Sequence, residues 1–224
     1  MLRFVAFDMD GTLVDVTSSW AAVHDHFGEH NAEGLRLFNE NQIDDLEFIR
    51  SDIRIWWKHA PGLTIEDLEA ILRDVPLMPG AHALLDGLHA RGVRTAIVSG
   101  GIDLLAHRIG AELGIDLTLA NGFRVTADGR LTGDGIVRVP IHGKEAVLAT
   151  LQEQLGFAPD ETGAVGNSEI DVGLFRRSRV GVAFLPADEE VRRAATHVVA
   201  ERDLAKVLDA LTGPEDRDRP ARNP

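Results

Sequence analysis

The sequence contains no cysteine among its 224 residues. This absence excludes disulfide bonds, thiolate catalysis and thiolate metal sites. Any metal ligands must therefore come from Asp, Glu, Asn or His side chains, and such oxygen and imidazole donors favour a hard or borderline cation.

Long apolar runs are also absent. No window of about 18 uninterrupted apolar residues occurs, which argues against a transmembrane helix. No basic segment precedes an apolar run at the start of the chain, as it would in a secretory signal. We therefore expect a cytoplasmic protein that does not associate with a membrane.

Positive charge is scarce, and lysine is scarcer than arginine. The chain has three lysines and twenty arginines against 36 acidic residues, which gives a formal net charge of −13. This balance argues against a nucleic-acid partner. It would also repel an anionic substrate, so a site for such a substrate needs local cations.

The order of apolar patterns predicts an α/β fold. Residues 15–79 are mostly helical in pattern, whereas strand-like and helix-like segments alternate from residue 80 onward. This order predicts a doubly wound, parallel, Rossmann-like sheet formed by residues 1–14 and 80–212, with a small helical cap, 15–79, inserted after the first strand. The predicted strands are 2–7, 93–98, 116–120, 162–165, 180–184 and 197–199, and the predicted core helices are 80–91, 102–113, 142–156, 169–177 and 201–211.

Two further segments stand apart from this alternation. Residues 123–139 contain an Asp-Gly turn between β-rich stretches, which predicts a hairpin. Residues 213–224 have almost no apolar side chains and are predicted to form a disordered tail.

Polar residues follow several of the predicted strands. In a doubly wound sheet, ligands bind beyond the carboxyl ends of the strands, so these residues are expected to converge on one site. Two acids separated by one residue repel each other unless a cation lies beside them. The candidates are Asp8 and Asp10 after the first strand, Ser99 and Gly100 after the second, Lys144 at a helix start, and Asn167 and Asp171 after strand 162–165.

Each candidate also has a purely structural explanation. Asp10 and Gly11 could form an ordinary turn, and Asn167 could cap a helix. Ser99 could lie in a flexible loop, and Lys144 could be a surface lysine. Their common position at one sheet edge favours a functional site over these separate explanations.

Four motifs resemble those of the haloacid dehalogenase superfamily. They are DMDGTLVD, VSGG, Lys144 and VGNSEIDVGLF. The segment AIVSGGIDLLAHRIGAELGIDLTLAN and the hairpin sequence ADGRLTGD make the chain most similar to the phosphoserine phosphatase branch. The resemblance implies a phosphatase that acts on a small phosphorylated metabolite through an aspartyl-phosphate.

The resemblance also implies a role for each residue. Asp8 would be the nucleophile, and Asp10 would protonate the leaving alcohol and then activate water. Ser99 and the N–H of Gly100 would hold phosphoryl oxygens, while Lys144 would neutralise charge beside Asp8. We expect the negative charge of Asp8 to raise the pKa of Asp10 and favour its protonated form.

Mg²⁺ is the implied cofactor, with the Asp8 carboxylate, the Asp10 main-chain carbonyl and Asn167 as ligands. The fourth motif departs from the branch twice, because Asn167 stands where an aspartate is usual and Ile170 where an asparagine is usual; Asp171 remains. An amide carries no charge, so Mg²⁺ binding should weaken. Dehalogenases of the superfamily also have Asn in this region and use no metal, but they lack a counterpart of Asp10.

The predicted cap would close over the site and exclude water. Arg50 and Arg54 lie four residues apart and could hold a substrate carboxylate, as a cap arginine does in phosphoserine phosphatases. Thr17 stands where that branch has a glutamate for the substrate amine. The segment HDHFGEH, with His26 and His30, is reminiscent of a metal-binding pattern, but it has no evident third ligand and a solvated helix is favoured.

Two alternative functions remain open from the sequence. A phosphotransferase or mutase could pass the phosphoryl group from Asp8 to a hydroxyl instead of water. A non-catalytic binding protein could retain the fold with a degenerate metal site, which the substitutions in GNSEID would explain. The sequence leaves the oligomeric state open.

Overall fold

The computed structural model describes residues 1–213 and contains one seven-stranded sheet. The strand order is β4-β3-β2-β1-β5-β6-β7, and all neighbours are parallel except β3 and β4. The strands are β1 (Phe4–Phe7), β2 (Arg94–Ile102), β3 (Leu117–Val125), β4 (Leu131–Ile136), β5 (Thr162–Gly166), β6 (Val180–Phe184) and β7 (His197–Val199).

Ten α-helices accompany the sheet in the described part of the chain. They are α1 (Ser19–Phe27), α2 (Ala32–Asn39), α3 (Asp45–Trp56), α4 (Ile65–Leu72), α5 (Ala81–His89), α6 (Asp103–Leu113), α7 (Lys144–Leu155), α8 (Val172–Arg176), α9 (Glu189–Ala194) and α10 (Ala205–Thr212). None of the helices within residues 1–213 combines the length and the hydropathy needed to cross a membrane.

Strand β1 lies at the centre of the sheet, and all four of its residues are buried. Val5 and Phe7 belong to one hydrophobic cluster, whereas Phe4 and Ala6 belong to a second, as expected when successive side chains point to opposite faces. A parallel strand that is covered on both faces is apolar throughout. The structure thus confirms the predicted doubly wound α/β sheet.

The register of β1 brings three strand ends together. Phe7 is level with Ile97 of β2 and with Val165 of β5. The residues that follow these positions therefore share one edge of the sheet. The main-chain N–H of Asp8 donates to the carbonyl of Val165 at 2.9 Å, which fixes the chain as it leaves β1.

The helices α1 to α4 form the insert between β1 and α5. The chain leaves and re-enters the core through two adjacent segments, where the N–H of Met78 donates to Leu13 and the N–H of Asp15 donates to Pro76. In the insert, Trp56 of α3 is fully buried. The predicted boundaries, 15 and 79, lie beside this neck; the division into two domains stays a prediction.

Several predicted boundaries differ from the structure. Strand β3 continues through the segment predicted as a separate hairpin arm and pairs with β4, so the hairpin belongs to the sheet. Helix α9 was not predicted, and it is a short helix capped by the side chain of Asp188. Helix 169–177 is a 3₁₀ turn followed by α8. Of the predicted tail, residues 214–224 lie outside the described part of the chain.

Candidate active site

Four of the predicted site residues are buried together at the carboxyl edge of the sheet. Asp8, Ser99, Lys144 and Asp171 each expose 3% or less of their surface. Lysine and aspartate are almost never buried to this degree unless they are paired. The surface-lysine explanation for Lys144 is therefore wrong.

Lys144 lies between two carboxylates. Its Nζ is 2.7 Å from Oδ1 of Asp8 and 2.6 Å from Oδ1 of Asp171. Burial alone would lower the pKa of this amine, but the two carboxylates outweigh burial and raise the pKa of Lys144 above its ordinary value. The side chain is therefore an ammonium ion at neutral pH.

Asp8 has a strongly perturbed environment. Burial and, after it, the charge of Asp171 raise the pKa of Asp8 to about 7, although Lys144 opposes the shift. A carboxylic acid is a poor nucleophile compared with its carboxylate. A further cation beside Asp8 would favour the carboxylate form and would therefore activate it.

The two carboxylate oxygens of Asp10 have different surroundings. Oδ2 accepts hydrogen bonds from the main-chain N–H and from the hydroxyl of Ser19, both at 2.8 Å. Oδ1 is buried and has no hydrogen-bond partner within the described residues. Burial raises the pKa of Asp10, and the Ser19 hydrogen bonds oppose it. The direction matches our prediction, but burial is the main cause instead of the charge of Asp8.

The last part of β2, which contains Ser99, Gly100 and Gly101, is held from both sides. The Gly100 carbonyl accepts from the indole N–H of Trp20 at 3.0 Å and from the Asn121 amide at 3.2 Å. The Gly101 N–H donates to the hydroxyl of Ser99 at 3.1 Å. The peptide unit between the two glycines is therefore fixed, which argues against the flexible-loop explanation for Ser99.

Asn121 and Trp20 were not predicted as site residues. Asn121 is buried, and besides Gly100 it contacts the main chain of Arg138 and Val139 with both ends of its amide. A polar residue inside the apolar strand β3 was the available signal for Asn121. No sequence signal marked Trp20, because its contact with the core depends on how the insert packs.

Asp171 organises the loop that carries Asn167. Its Oδ2 accepts from the main-chain N–H of Asn167 at 2.9 Å and from the N–H and hydroxyl of Ser168 at 3.0 Å. The side-chain amide of Asn167 lies against Gly11, which has φ +71°; a Cβ at Gly11 would be 2.3 Å from Asn167 Nδ2. Only glycine fits both this conformation and this contact.

The oxygen donors around Asp10 fit a hard divalent cation. The candidate ligands are the Asp8 carboxylate, the Asp10 carbonyl and the Asn167 amide oxygen. Mg²⁺ in proteins is often held by one or two carboxylates while it keeps several waters. Within residues 1–213, no group of three or more His, Cys, Asp or Glu side chains is arranged to hold a metal. A metal here would depend on main-chain and amide oxygens in addition to a carboxylate.

The HDHFGEH segment has a structural explanation in the insert. The Nδ1 of His24 accepts from the indole N–H of Trp56 at 3.2 Å, so Nε2 carries the hydrogen and donates to Asp52 at 2.8 Å. Both His24 and Asp52 are buried. His30 is exposed and lies 3.9 Å from Asp25. His26 is exposed on α1 as well, so the solvated-surface explanation holds for His26 and His30, whereas His24 is buried packing that the sequence did not indicate.

Both predicted substrate arginines have protein carboxylates as partners. Arg50 donates from Nε to Asp134 of β4 at 2.9 Å, and Arg54 donates to Glu47 at 2.7 Å. Thr17 is exposed. A substrate-binding role for either arginine stays a prediction, and such a role would require exchange of these carboxylate partners.

Comparisons with known proteins identify the family of the chain. A family model for haloacid dehalogenase-like hydrolases matches residues 5–176. A phosphoserine phosphatase from Idiomarina loihiensis is 30% identical, with 92% of each chain covered, and one from Methanocaldococcus jannaschii is 27% identical, covering 92% of this chain and 96% of its own. A solved structure described as a phospho-aspartyl intermediate analogue of phosphoserine phosphatase has a TM-score of 0.76 at 26% identity, covering 93% of this chain and 98% of that one.

The matched range contains all four residues of the buried cluster, Asp8, Ser99, Lys144 and Asp171. The family match therefore spans the segments that carry the buried cluster. The chain belongs to the haloacid dehalogenase-like hydrolase family, as a phosphomonoester hydrolase of the phosphoserine phosphatase-like type.

Proposed function

We propose that the protein hydrolyses a small phosphomonoester in the presence of Mg²⁺ through an aspartyl-phosphate on Asp8. The observation that carries this proposal is the buried cluster in which Lys144 contacts both Asp8 and Asp171. The ammonium of Lys144 compensates the negative charge of the buried carboxylates. It therefore favours the carboxylate form of Asp8, which must attack an anionic phosphate.

In the first step, a carboxylate oxygen of Asp8 attacks phosphorus and the bond from phosphorus to the alcohol oxygen breaks. The electron pair of that bond stays on the alcohol oxygen, which takes the proton of Asp10. Ser99 and the N–H of Gly100 hold phosphoryl oxygens during the transfer. Lys144 compensates negative charge beside Asp8.

In the second step, Asp10 is a carboxylate and removes a proton from water as the water attacks phosphorus. The acyl-phosphate bond breaks, which releases phosphate and restores the carboxylate of Asp8. Bound Mg²⁺, held by the Asp8 carboxylate, the Asp10 carbonyl and Asn167, would supply positive charge that reduces the repulsion between carboxylate and phosphate.

The direct test is turnover of p-nitrophenyl phosphate with Mg²⁺, compared with the same assay in EDTA, with nitrophenol and free phosphate measured together. The proposal predicts equal amounts of both products and no turnover in EDTA. Nitrophenol without matching phosphate, but with a phosphorylated acceptor, would instead indicate a phosphotransferase. Failure of the wild-type protein to release nitrophenol or to bind Mg²⁺ would favour the non-catalytic alternative.

Replacing Asn167→Asp should lower the Mg²⁺ concentration required for half-maximal activity. A carboxylate adds a charged ligand where the amide is neutral, so the cation should bind more tightly. Mg²⁺ titration of both proteins by activity and by calorimetry measures the effect. Ser168→Ala is the control, because it changes the same loop without adding a ligand; an unchanged Mg²⁺ requirement in Asn167→Asp would contradict the assignment of Asn167.

Hydrolysis of phosphoserine should be measurable but unselective. The position of Thr17 offers no carboxylate for a substrate ammonium, and Arg50 and Arg54 already contact carboxylates. We expect kcat/KM values for phosphoserine, phosphoglycolate and phosphoglycerate within about tenfold of one another.

Thr17→Glu offers a matched variant for this expectation, since it should increase the preference for phosphoserine. A preference of wild type for phosphoserine above about a hundredfold, equivalent to about 2.7 kcal/mol, would contradict the prediction. In that case another acid of the insert, such as Glu40 or Glu47, would supply the missing contact.

A further inference from the structure

The first turn of α1 donates hydrogen bonds to only one of the two carboxylate oxygens of Asp10. Ser19, the first residue of α1, donates to Oδ2 of Asp10 from its main-chain N–H and from its hydroxyl. Ser19 is completely buried. The opposite oxygen, Oδ1, is buried without a partner in the described part of the chain. Such an unsatisfied buried atom in a native fold calls for an explanation.

The direction of the Ser19 hydroxyl follows from its other contact. The Ser19 Oγ accepts from the main-chain N–H of Ile102 at 2.9 Å, so its own hydrogen is available for Asp10. Oδ2 thus receives two donors and is an acceptor in both contacts. An acidic hydrogen on Oδ2 would have to compete with these donors, whereas no described residue donates to Oδ1.

Gly101, near the end of β2, lies beside the contact between Ser19 and Asp10. A Cβ at Gly101 would lie 2.7 Å from Oδ2 of Asp10 and 2.7 Å from the Oγ of Ser19. A side chain at this position would therefore collide with both groups, so glycine leaves the contact between Ser19 and Oδ2 intact. Rotation of the carboxyl group away from this arrangement would break two hydrogen bonds at once.

We infer that Ser19 is a positioning residue that directs the proton of Asp10 to Oδ1, the oxygen that exchanges it with the leaving group and with water. The inference rests on the proposed function of Asp10 as proton donor. It also gives the insert a part in the chemistry, because Ser19 belongs to α1 while Asp10 follows β1. Asp10 supplies the proton, and Ser19 determines which oxygen carries it.

The test compares two substrates of nearly equal shape, p-nitrophenyl phosphate and phenyl phosphate, with Mg²⁺ present. Phenol resembles a tyrosine side chain, with a pKa of about 10, and leaves poorly without a proton, whereas p-nitrophenol is much more acidic. The measured quantity is the ratio of the two kcat/KM values. Each kcat/KM value reports the steps up to release of the alcohol. The ratio does not depend on the fraction of folded enzyme, because that fraction enters both values equally.

Ser19→Ala should lower kcat/KM for phenyl phosphate about tenfold more than for p-nitrophenyl phosphate. Asp10→Asn should change the ratio in the same direction and by more. Ser18→Ala is the matched control, because it removes the hydroxyl that caps α1 by accepting from Ala21 and leaves the contact of Ser19 with Asp10 in place. The ratio for Ser18→Ala should stay within about twofold of wild type.

The outcomes separate the inference from the proposed function. If Asp10→Asn shifts the ratio but Ser19→Ala leaves it within about twofold of wild type, the positioning role is overturned and the proposed function stands. An equal shift in Ser18→Ala and Ser19→Ala would likewise overturn it, since the effect would then come from helix α1. If wild type hydrolyses neither substrate, the proposed function is overturned and the inference with it. If Asp10→Asn leaves the ratio unchanged, the role of Asp10 as proton donor is overturned, and the inference fails with that role.

Discussion

Asp8→Asn should reduce phosphate release from p-nitrophenyl phosphate by more than about 10³-fold. The amide keeps the shape of the side chain but cannot attack phosphorus. In the structure, Asp8 follows the central strand β1, is buried, and lies 2.7 Å from the ammonium of Lys144. The measurement is steady-state phosphate release at saturating Mg²⁺.

The loss must be separated from unfolding. Asp8→Asn keeps the volume of the site, so its thermal transition should stay close to that of wild type while activity disappears. Asp116→Asn is a matched control, since Asp116 contacts Thr95 and Arg94 at the start of β2 and is not among the proposed catalytic residues. Turnover in purified Asp8→Asn comparable to wild type would rule out Asp8 as the nucleophile.

Lys144→Met should have the second largest effect, on both stability and activity. Its removal leaves the carboxyl groups of Asp8 and Asp171 buried without their cation, and removing one partner of a buried ion pair typically costs about 3–5 kcal/mol. Activity should fall by about 10²-fold or more, since charge compensation beside the nucleophile is lost. Urea unfolding and phosphate release measure the two effects.

The stability loss should depend on pH in a defined direction. Burial already raises the pKa of Asp8 to about 7, and without Lys144 it should rise further. Protonation then relieves the unpaired charge, so the difference between wild type and Lys144→Met should shrink as pH falls from 8 to about 5. Lys58→Met, at an exposed position, is the control and should change stability little. A loss that is constant with pH would contradict this explanation.

The fold was largely predictable because its signals are local. Parallel strands covered on both faces are apolar throughout, and such runs alternate with helical patterns after residue 80. The boundaries were less predictable where side chains of other segments decide them. Helix α9 depends on a cap by Asp188, and β3 extends because β4 pairs with it. The Asp188 cap is a local signal, but α9 has only six residues and so shows little periodicity. The length of β3, in contrast, depends on its pairing with β4 and does not follow from the pattern of one segment.

The site was predictable where residues follow strands, and less so where packing across the molecule matters. Asp8, Asp10 and Ser99 could be found because strand ends in such a sheet share one edge. Lys144 begins α7 and was found through the resemblance of the four motifs. The contacts of Ser19 and Trp20 could not be predicted in this way, because they form only when α1 of the insert packs on the core. The main cause of the raised pKa of Asp10 was missed for the same reason, because burial is a property of the packed molecule.

The central claim is that the phosphoryl group passes through Asp8, and trapping that intermediate tests it most directly. Asp10→Asn incubated with p-nitrophenyl phosphate and Mg²⁺ should accumulate the intermediate, because this leaving group needs little protonation while attack by water lacks its base. Borohydride reduction of an aspartyl-phosphate yields homoserine, which mass spectrometry of the N-terminal peptide can locate. The account predicts homoserine at position 8 that disappears when Asp8→Asn is added to the same protein. Release of nitrophenol with unmodified Asp8, or with homoserine at another position, would contradict it.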